Sequence, residues 1–166
     1  MAVLAVRTFL GQQRFSSADI HDGLASVRWD GRLAVLKPSP LVLCDVAHNP
    51  DGIKALADTL VEIGLAGRII PIFGAYKDKD ISRMVQLLAS ISDKLVVIPL
   101  DEDRGCSPEV IVSAARSYFQ AVNVCTTFAE AVKLIQQQHP GMAVIACGSF
   151  RVVAAAMRWK SEISFE

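Results

Sequence analysis

A carboxylate, an imidazole and a helix start follow one short apolar run in this 166-residue chain. The run is Leu41 to Cys44, and Asp45 and His48 come shortly after it. Asn49 is a good helix cap, and Pro50 suits a first helical position because its missing N–H would be unpaired there anyway. Helix N-termini favour anions, and open parallel sheets bind ligands at the carboxyl ends of their strands. This stretch therefore predicts an anion site, although a loop cap and a hydrogen-bonded turn residue remain the alternative.

Three further polar loops follow apolar runs, and we expect them at the same edge of the sheet. They are residues 74–80 with Lys79, residues 101–104, and Gly148-Ser149. A lysine beside two helix N-termini would complete an anion pocket, and glycines would let the backbone approach a ligand closely. The alternative is that these polar residues only cap helices and face solvent.

The elements that must position these loops alternate regularly from about residue 33 onward. Apolar strand patterns occur at 41–45, 68–73, 95–99, 122–125 and 142–147, and helical patterns at 50–64, 81–91, 107–119, 128–138 and 150–160. Continuous apolar strands between amphipathic helices indicate a parallel sheet that is covered on both faces. A short strand at 33–36 would add to one edge. We therefore predict a Rossmann-like α/β fold, with a mostly parallel sheet of about six strands and helices on both faces.

The first 27 residues do not share this alternation. Their apolar spacing predicts a helix at 2–13 and a second helix that begins at Ser16 or Ser17. We place a boundary near residue 27, so that 1–27 form a helical segment and 28–166 form the α/β domain.

Composition argues against several partners. Lys and Arg together number 17, as do Asp and Glu, so the formal net charge of zero favours neither nucleic acid nor an anionic membrane. The apolar first ten residues are too short to span a membrane and lack the features of a signal peptide. The four cysteines show no metal or redox spacing. We therefore expect a cytoplasmic protein with cysteines in its core and no metal site in this chain.

Four motifs occur in order along the chain: WDGR at 29–32, DVAHNPDG at 45–52, FG at 73–74 with DKD at 78–80, and CGSF at 147–150. They resemble the W-x-G-R, D-G-A-H-N-P-D-G, F-G-x-x-x-D-K-D and T-G-S-x motifs of the folylpolyglutamate synthases. These ligases belong to the Mur ligase superfamily and in bacteria are often also dihydrofolate synthases. Val46 and Arg151 depart from the family pattern, and the departure at Arg151 puts the local ligand contact there in question.

The resemblance implies a fold of the Mur ligase C-terminal domain type and a set of site residues. Arg32 and Asp45 would contact ATP, and His48 would be the catalytic residue beside the transferred phosphate. A guanidinium suits phosphate, and a carboxylate can hold ribose hydroxyls. Asn49, Lys79 and Ser149 would hold glutamate or another anion. The implied substrates are ATP with Mg²⁺, L-glutamate, and folate or dihydropteroate.

The family's ATPase centre is a P-loop, G-x-x-x-x-G-K-[ST], and none occurs in this sequence. We therefore expect residues 1–27 to be a remnant or linker of a preceding ATPase domain, which would carry the magnesium ligands. Residues 28–166 would be the C-terminal domain of a larger ligase, and the isolated chain would be inactive. The alternatives are a Mur peptide ligase domain and a non-catalytic binding module of the same fold.

Overall fold

The structure, a computed structural model, describes residues 8–9, 16–27 and 29–163. Of the helix predicted at 2–13, Thr8 and Phe9 are helical and the rest lies outside the described residues. The chain divides into two compact units, Met1–Asp30 and Gly31–Glu166. The assignment of residues 1–27 to a separate domain stays a prediction.

The first unit contains helix α1, Ser17–Ser26, which begins with a capping box. The hydroxyl of Ser16 accepts a bond from the Asp19 N–H at 3.1 Å, and the Asp19 carboxylate accepts one from the Ser16 N–H at 2.8 Å. None of the α1 residues is buried. Local capping therefore specifies the start of this helix, whereas burial of apolar side chains contributes little to it.

The second unit is built on a six-stranded sheet in the order β1-β2-β6-β3-β4-β5. The strands are β1 Ala34–Pro38, β2 Leu41–Cys44, β3 Ile69–Phe73, β4 Lys94–Val97, β5 Ala121–Val124 and β6 Ala143–Cys147. All neighbouring pairs are parallel except β1 and β2, so β1 is an antiparallel edge strand. The predicted α/β class, the strand number and the added edge strand are confirmed.

Helices cover both faces of this sheet. They are α2 Pro50–Glu62, α3 Ile81–Leu88, α4 Pro108–Ala115, α5 Phe128–Gln138 and α6 Phe150–Ile163. Ile69 and Phe73 of β3 pack in the cluster that includes α2, α3 and α4. Ile70 and Ile72 pack in the opposite cluster, with α5 and α6. Successive strand residues point to opposite faces, so both faces must be apolar, which is why the strands are continuously apolar in sequence.

Two predicted element ends are wrong for the same physical reason. Helices α3 and α4 end at Leu88 and Ala115, three and four residues before the predicted ends. Ile91 and Phe119 are nevertheless buried, because the turns after these helices fold back onto the core. The apolar pattern reports burial, and burial here continues beyond the helical backbone.

Because five strands are parallel, the loops after β2, β3, β4 and β6 lie at one edge of the sheet. Within the part of the chain that the structure describes, no helix has the length and apolar character needed to cross a membrane.

Candidate functional site

The carboxylate of Asp45, directly after β2, bonds to two backbone N–H groups. Oδ1 accepts from Ala47 N–H at 2.8 Å, and Oδ2 accepts from Leu33 N–H at 2.9 Å. The first bond is a local turn of the kind that aspartate favours. The second spans twelve residues and ties the loop after β2 to the segment before β1.

That segment, residues 31–33, has an unusual backbone. Gly31 has φ +77° and Leu33 has φ +41°, a conformation that costs energy for a residue with a side chain. The N–H of Val46 donates to the Gly31 carbonyl at 2.7 Å, and a Cβ at Gly31 would lie 2.9 Å from Val46 Cγ1. The glycine of the WDGR motif is therefore needed for close packing against the loop after β2.

Arg32 and Asp45 line the same cleft, of about 160 Å³, beside the first half of α2. Leu33, Gly52, Ala55, Leu56 and Thr59 complete its lining. The Arg32 residue is exposed, whereas Asp45 is half-buried. The structure thus brings the two residues predicted to contact ATP together in one place.

His48 has a defined ring orientation. Its Nδ1 lies 2.8 Å from the carbonyl oxygen of Val46. A carbonyl only accepts, so Nδ1 carries a hydrogen and Nε2 is the nitrogen that a ligand would meet. The imidazole also lies against the ring of Phe150, with centroids 5.4 Å apart and planes at 40°. The sequence gave no sign of this contact beyond the aromatic residue in CGSF.

Asn49 begins α2 as predicted. Its side-chain oxygen accepts a bond from Gly52 N–H at 2.8 Å, and Pro50 occupies the first turn. The carboxamide NH₂ is not needed for this cap, and Asn49 is exposed. The side chain can therefore order the helix and donate to an anion at the same time.

Ser149 is fully buried, and its hydroxyl accepts from Val152 N–H at 3.2 Å, which caps α6. A Cβ at Gly148, where φ is +102°, would lie 2.6 Å from the Phe73 ring, and one at Gly74 would lie 2.6 Å from the Ile98 carbonyl oxygen. The expectation that these glycines make room for a ligand is wrong, because the protein's own atoms occupy that space.

Lys79 lies in the DKD motif and pairs with its neighbour. Its ammonium donates to Asp78 at 2.8 Å, and this bond holds the pKa of Asp78 below its usual range. Asp80 caps α3 by accepting from Arg83 N–H at 3.0 Å. The motif thus performs the capping that was the alternative interpretation, while the half-buried Lys79 still carries a positive charge at this edge.

A polar network that sequence analysis missed joins the loops after β3 and β4 to α6. Tyr76 donates its hydroxyl to Glu102 at 2.8 Å, and Arg151 forms an ion pair with the same carboxylate. These contacts, the Tyr76 bond first, lower the pKa of Glu102. The guanidinium of Arg104 lies 5.1 Å from the centroid of the Tyr76 ring. Arg151, which departs from the family pattern, therefore has a partner within the domain.

A second cleft, of about 310 Å³, opens at the carboxyl ends of β4 and β5. Asp101, Thr127, Arg151 and Arg158 contribute polar groups to its lining. Within the described parts of the chain, no group of three or more His, Cys, Asp or Glu residues could hold a metal ion. All four cysteines are free and buried, and burial raises the pKa of the Cys147 thiol.

Comparison with known proteins places these features in context. The family described as Mur ligase, glutamate ligase domain, matches residues 31–150. The dihydrofolate synthase/folylpolyglutamate synthase of Escherichia coli is 30% identical over 138 residues, which cover 83% of this chain and 32% of that protein. The corresponding protein of Mycobacterium tuberculosis is 30% identical over 122 residues, 72% of this chain and 25% of that protein. The chain thus spans about a third or less of these relatives.

Solved structures agree with the sequence comparison. E. coli FolC in complex with DHPP and ADP superposes with a TM-score of 0.82 at 28% identity, covering 97% of this chain and 38% of that chain. The bifunctional folylpolyglutamate synthase/dihydrofolate synthase with Mn, AMPPNP and L-glutamate bound gives a TM-score of 0.79 at 28% identity, covering 94% and 37%.

Proposed function

The chain belongs to the Mur ligase family as a glutamate ligase domain, and we propose that it serves an ATP-dependent ligase that adds L-glutamate to a folate. In that reaction the carboxyl group of the folate, or of dihydropteroate, is activated as an acyl phosphate. The amine of glutamate then displaces the phosphate. The observation that carries the proposal is the cleft in which Arg32 and Asp45 meet, a few residues before His48.

Arg32 and Asp45 form the ATP-binding side of the domain in this proposal. An exposed, permanently charged guanidinium suits the phosphates of a nucleotide. The bonds from Asp45 to the backbone hold the walls of the cleft together. ATP reactions of this type also use Mg²⁺, but the described residues offer no cluster that fits it, so we assign no magnesium ligand to them.

His48 is the proposed catalytic residue. With Nδ1 held by the Val46 carbonyl, a neutral ring presents the lone pair of Nε2 and a protonated ring presents an N–H there. The first form could accept a proton from the attacking amine, and the second could bond to a phosphate oxygen. Both roles require the fixed ring orientation that the structure provides.

Asn49, Lys79 and Ser149 are the proposed groups for glutamate or another anion. Asn49 has its carboxamide NH₂ free of the cap, and Lys79 supplies charge. Ser149 acts by fixing the start of α6, since it is buried. The relatives reported above are folate ligases, which favours a folate over a muramoyl peptide as the acceptor of glutamate.

A chimaeric enzyme tests this function. Residues 31–166 replace the matching C-terminal third of the E. coli relative, and ligation of L-glutamate to tetrahydrofolate is measured with and without ATP. We expect ATP-dependent ligation. We also expect Arg32→Ala to raise the KM for ATP about ten- to a hundredfold, because a charged hydrogen bond contributes about 1.5–3 kcal/mol.

Arg68→Ala is the matched control, because Arg68 is also exposed but immediately precedes β3, at the opposite edge of the sheet. It should leave the KM for ATP unchanged. A chimaera that folds with a cooperative thermal transition but ligates no glutamate would contradict the proposed function.

A further inference from the structure

The carboxylate of Asp45 is directed at the protein's own backbone. Each of its two oxygens accepts one N–H, from Ala47 at 2.8 Å and from Leu33 at 2.9 Å. Bonds from a backbone N–H to an ionised carboxylate are stronger than bonds between neutral groups. The bond to Ala47 fixes the direction of the carboxylate, and the bond to Leu33 uses that direction to hold a distant segment.

The segment that Asp45 holds is one that would not adopt its conformation unaided. Leu33 has φ +41°, a region that residues with a Cβ rarely occupy unless the surroundings hold them there. The Val46 N–H bond to Gly31 fixes the other side of Arg32. Arg32 is thus suspended between two anchored residues, and both anchors come from the loop after β2.

We infer that Asp45 is a positioning residue: it serves nucleotide binding by holding Leu33 in the left-handed conformation that places Arg32 in the cleft. This inference rests on the proposed nucleotide role of the cleft. It differs from direct contact between Asp45 and the nucleotide, in which the carboxylate itself would bond to a ligand hydroxyl. In the positioning role, the effect of Asp45 on affinity passes entirely through Arg32.

A double-mutant cycle separates the two roles. The 166-residue chain, labelled with ¹⁵N, is titrated with ADP as wild type, Asp45→Asn, Arg32→Ala and the double variant. An asparagine has one side-chain oxygen, so it can satisfy only one of the two backbone donors. Positioning predicts that Asp45→Asn weakens ADP binding and that the double variant binds no more weakly than Arg32→Ala. Direct contact predicts that the two losses multiply.

Loss of charge alone predicts the opposite sign. Removing a negative charge near an anionic ligand should tighten ADP binding, whereas loss of positioning should weaken it. Asp58→Asn is the matched control, because Asp58 is an exposed aspartate of α2 that pairs with Lys54. It removes the same charge from the helix beside the cleft and should not weaken ADP binding.

Two measurements keep the test decisive if Asp45→Asn folds poorly. Hydrogen exchange of the Leu33 amide should accelerate in Asp45→Asn and stay slow in Arg32→Ala. Leu33→Gly removes the Cβ that opposes a positive φ, so it should restore part of the ADP affinity in the Asp45→Asn background. A direct contact could not be restored in this way.

The outcomes distinguish this inference from the proposed function. A wild-type chain that shows no amide shifts with ADP would overturn the nucleotide role of the cleft, and the inference with it. A wild-type chain that binds ADP but gives multiplicative losses, or an unchanged Leu33 exchange rate in Asp45→Asn, would overturn the inference alone.

Discussion

At the scale of single residues, the polar side chains after β2 and β6 are held by the chain's own backbone. Asp45 bonds to Leu33 and Ala47, Asn49 caps α2, and Ser149 caps α6. A side chain bonded in this way loses little further freedom when a ligand arrives, so its geometry is set before binding. Structural bonding and a binding role therefore coexist at this edge of the sheet.

His48 gives the residue-scale prediction. In the active chimaera, His48→Ala should lower kcat by about a hundredfold or more, as expected for a lost acid or base, and change the KM for ATP much less. Initial rates at varied ATP measure both constants. His139→Ala is the control, because His139 ends α5, far along the chain from the site.

A different pattern would show that His48 only stabilises the loop. In that case His48→Ala would lower the Tm while kcat per folded molecule stayed normal. The same measurement on the control variant shows how much of any Tm change is common to histidine removal.

At the scale of elements, the alternation of strands and helices was predictable because both faces of each parallel strand are buried. The convergence of loops at one sheet edge followed from parallel strands alone. The network of Tyr76, Glu102 and Arg151 was not predictable, because these residues come from three separate loops with no local spacing to mark them. The positive φ of Leu33 was equally hidden, since leucine is not a residue that signals a left-handed turn.

The network makes the stability of these loops depend on pH. Its contacts lower the pKa of Glu102, so the fold favours the ionised carboxylate. The resulting stabilisation is full above the pKa of an unfolded glutamate, about 4.3, and is lost as the pH falls through the lower folded pKa. We expect Glu102→Gln to lower the Tm at neutral pH, and the difference from wild type to shrink below about pH 4.

Thermal unfolding of both proteins across this pH range measures the effect. Glu62→Gln, at the end of α2, provides a carboxylate control outside the network. A Tm difference that grows on acidification, or equal Tm values at neutral pH, would show that Glu102 does not stabilise the fold as the network implies.

At the scale of the whole molecule, two clefts compete as the place where an anionic ligand binds the second unit. The smaller one has Arg32 and Asp45 beside α2, and the larger one has Arg151 and Arg158 at the ends of β4 and β5. Volume favours the larger cleft. Charge favours the smaller one, because Arg151 is already paired with Glu102.

Mapping ADP onto the 166-residue chain by ¹⁵N amide shifts tests the central claim most directly. The account predicts shifts at Arg32, Leu33, Asp45 and the first turn of α2. Arg32→Ala should abolish them and Arg158→Ala should leave them intact. Shifts confined to residues 98–101 and 126–128, or no shifts at saturating ADP, would contradict the assignment of the Arg32 cleft as the nucleotide-binding side of the domain.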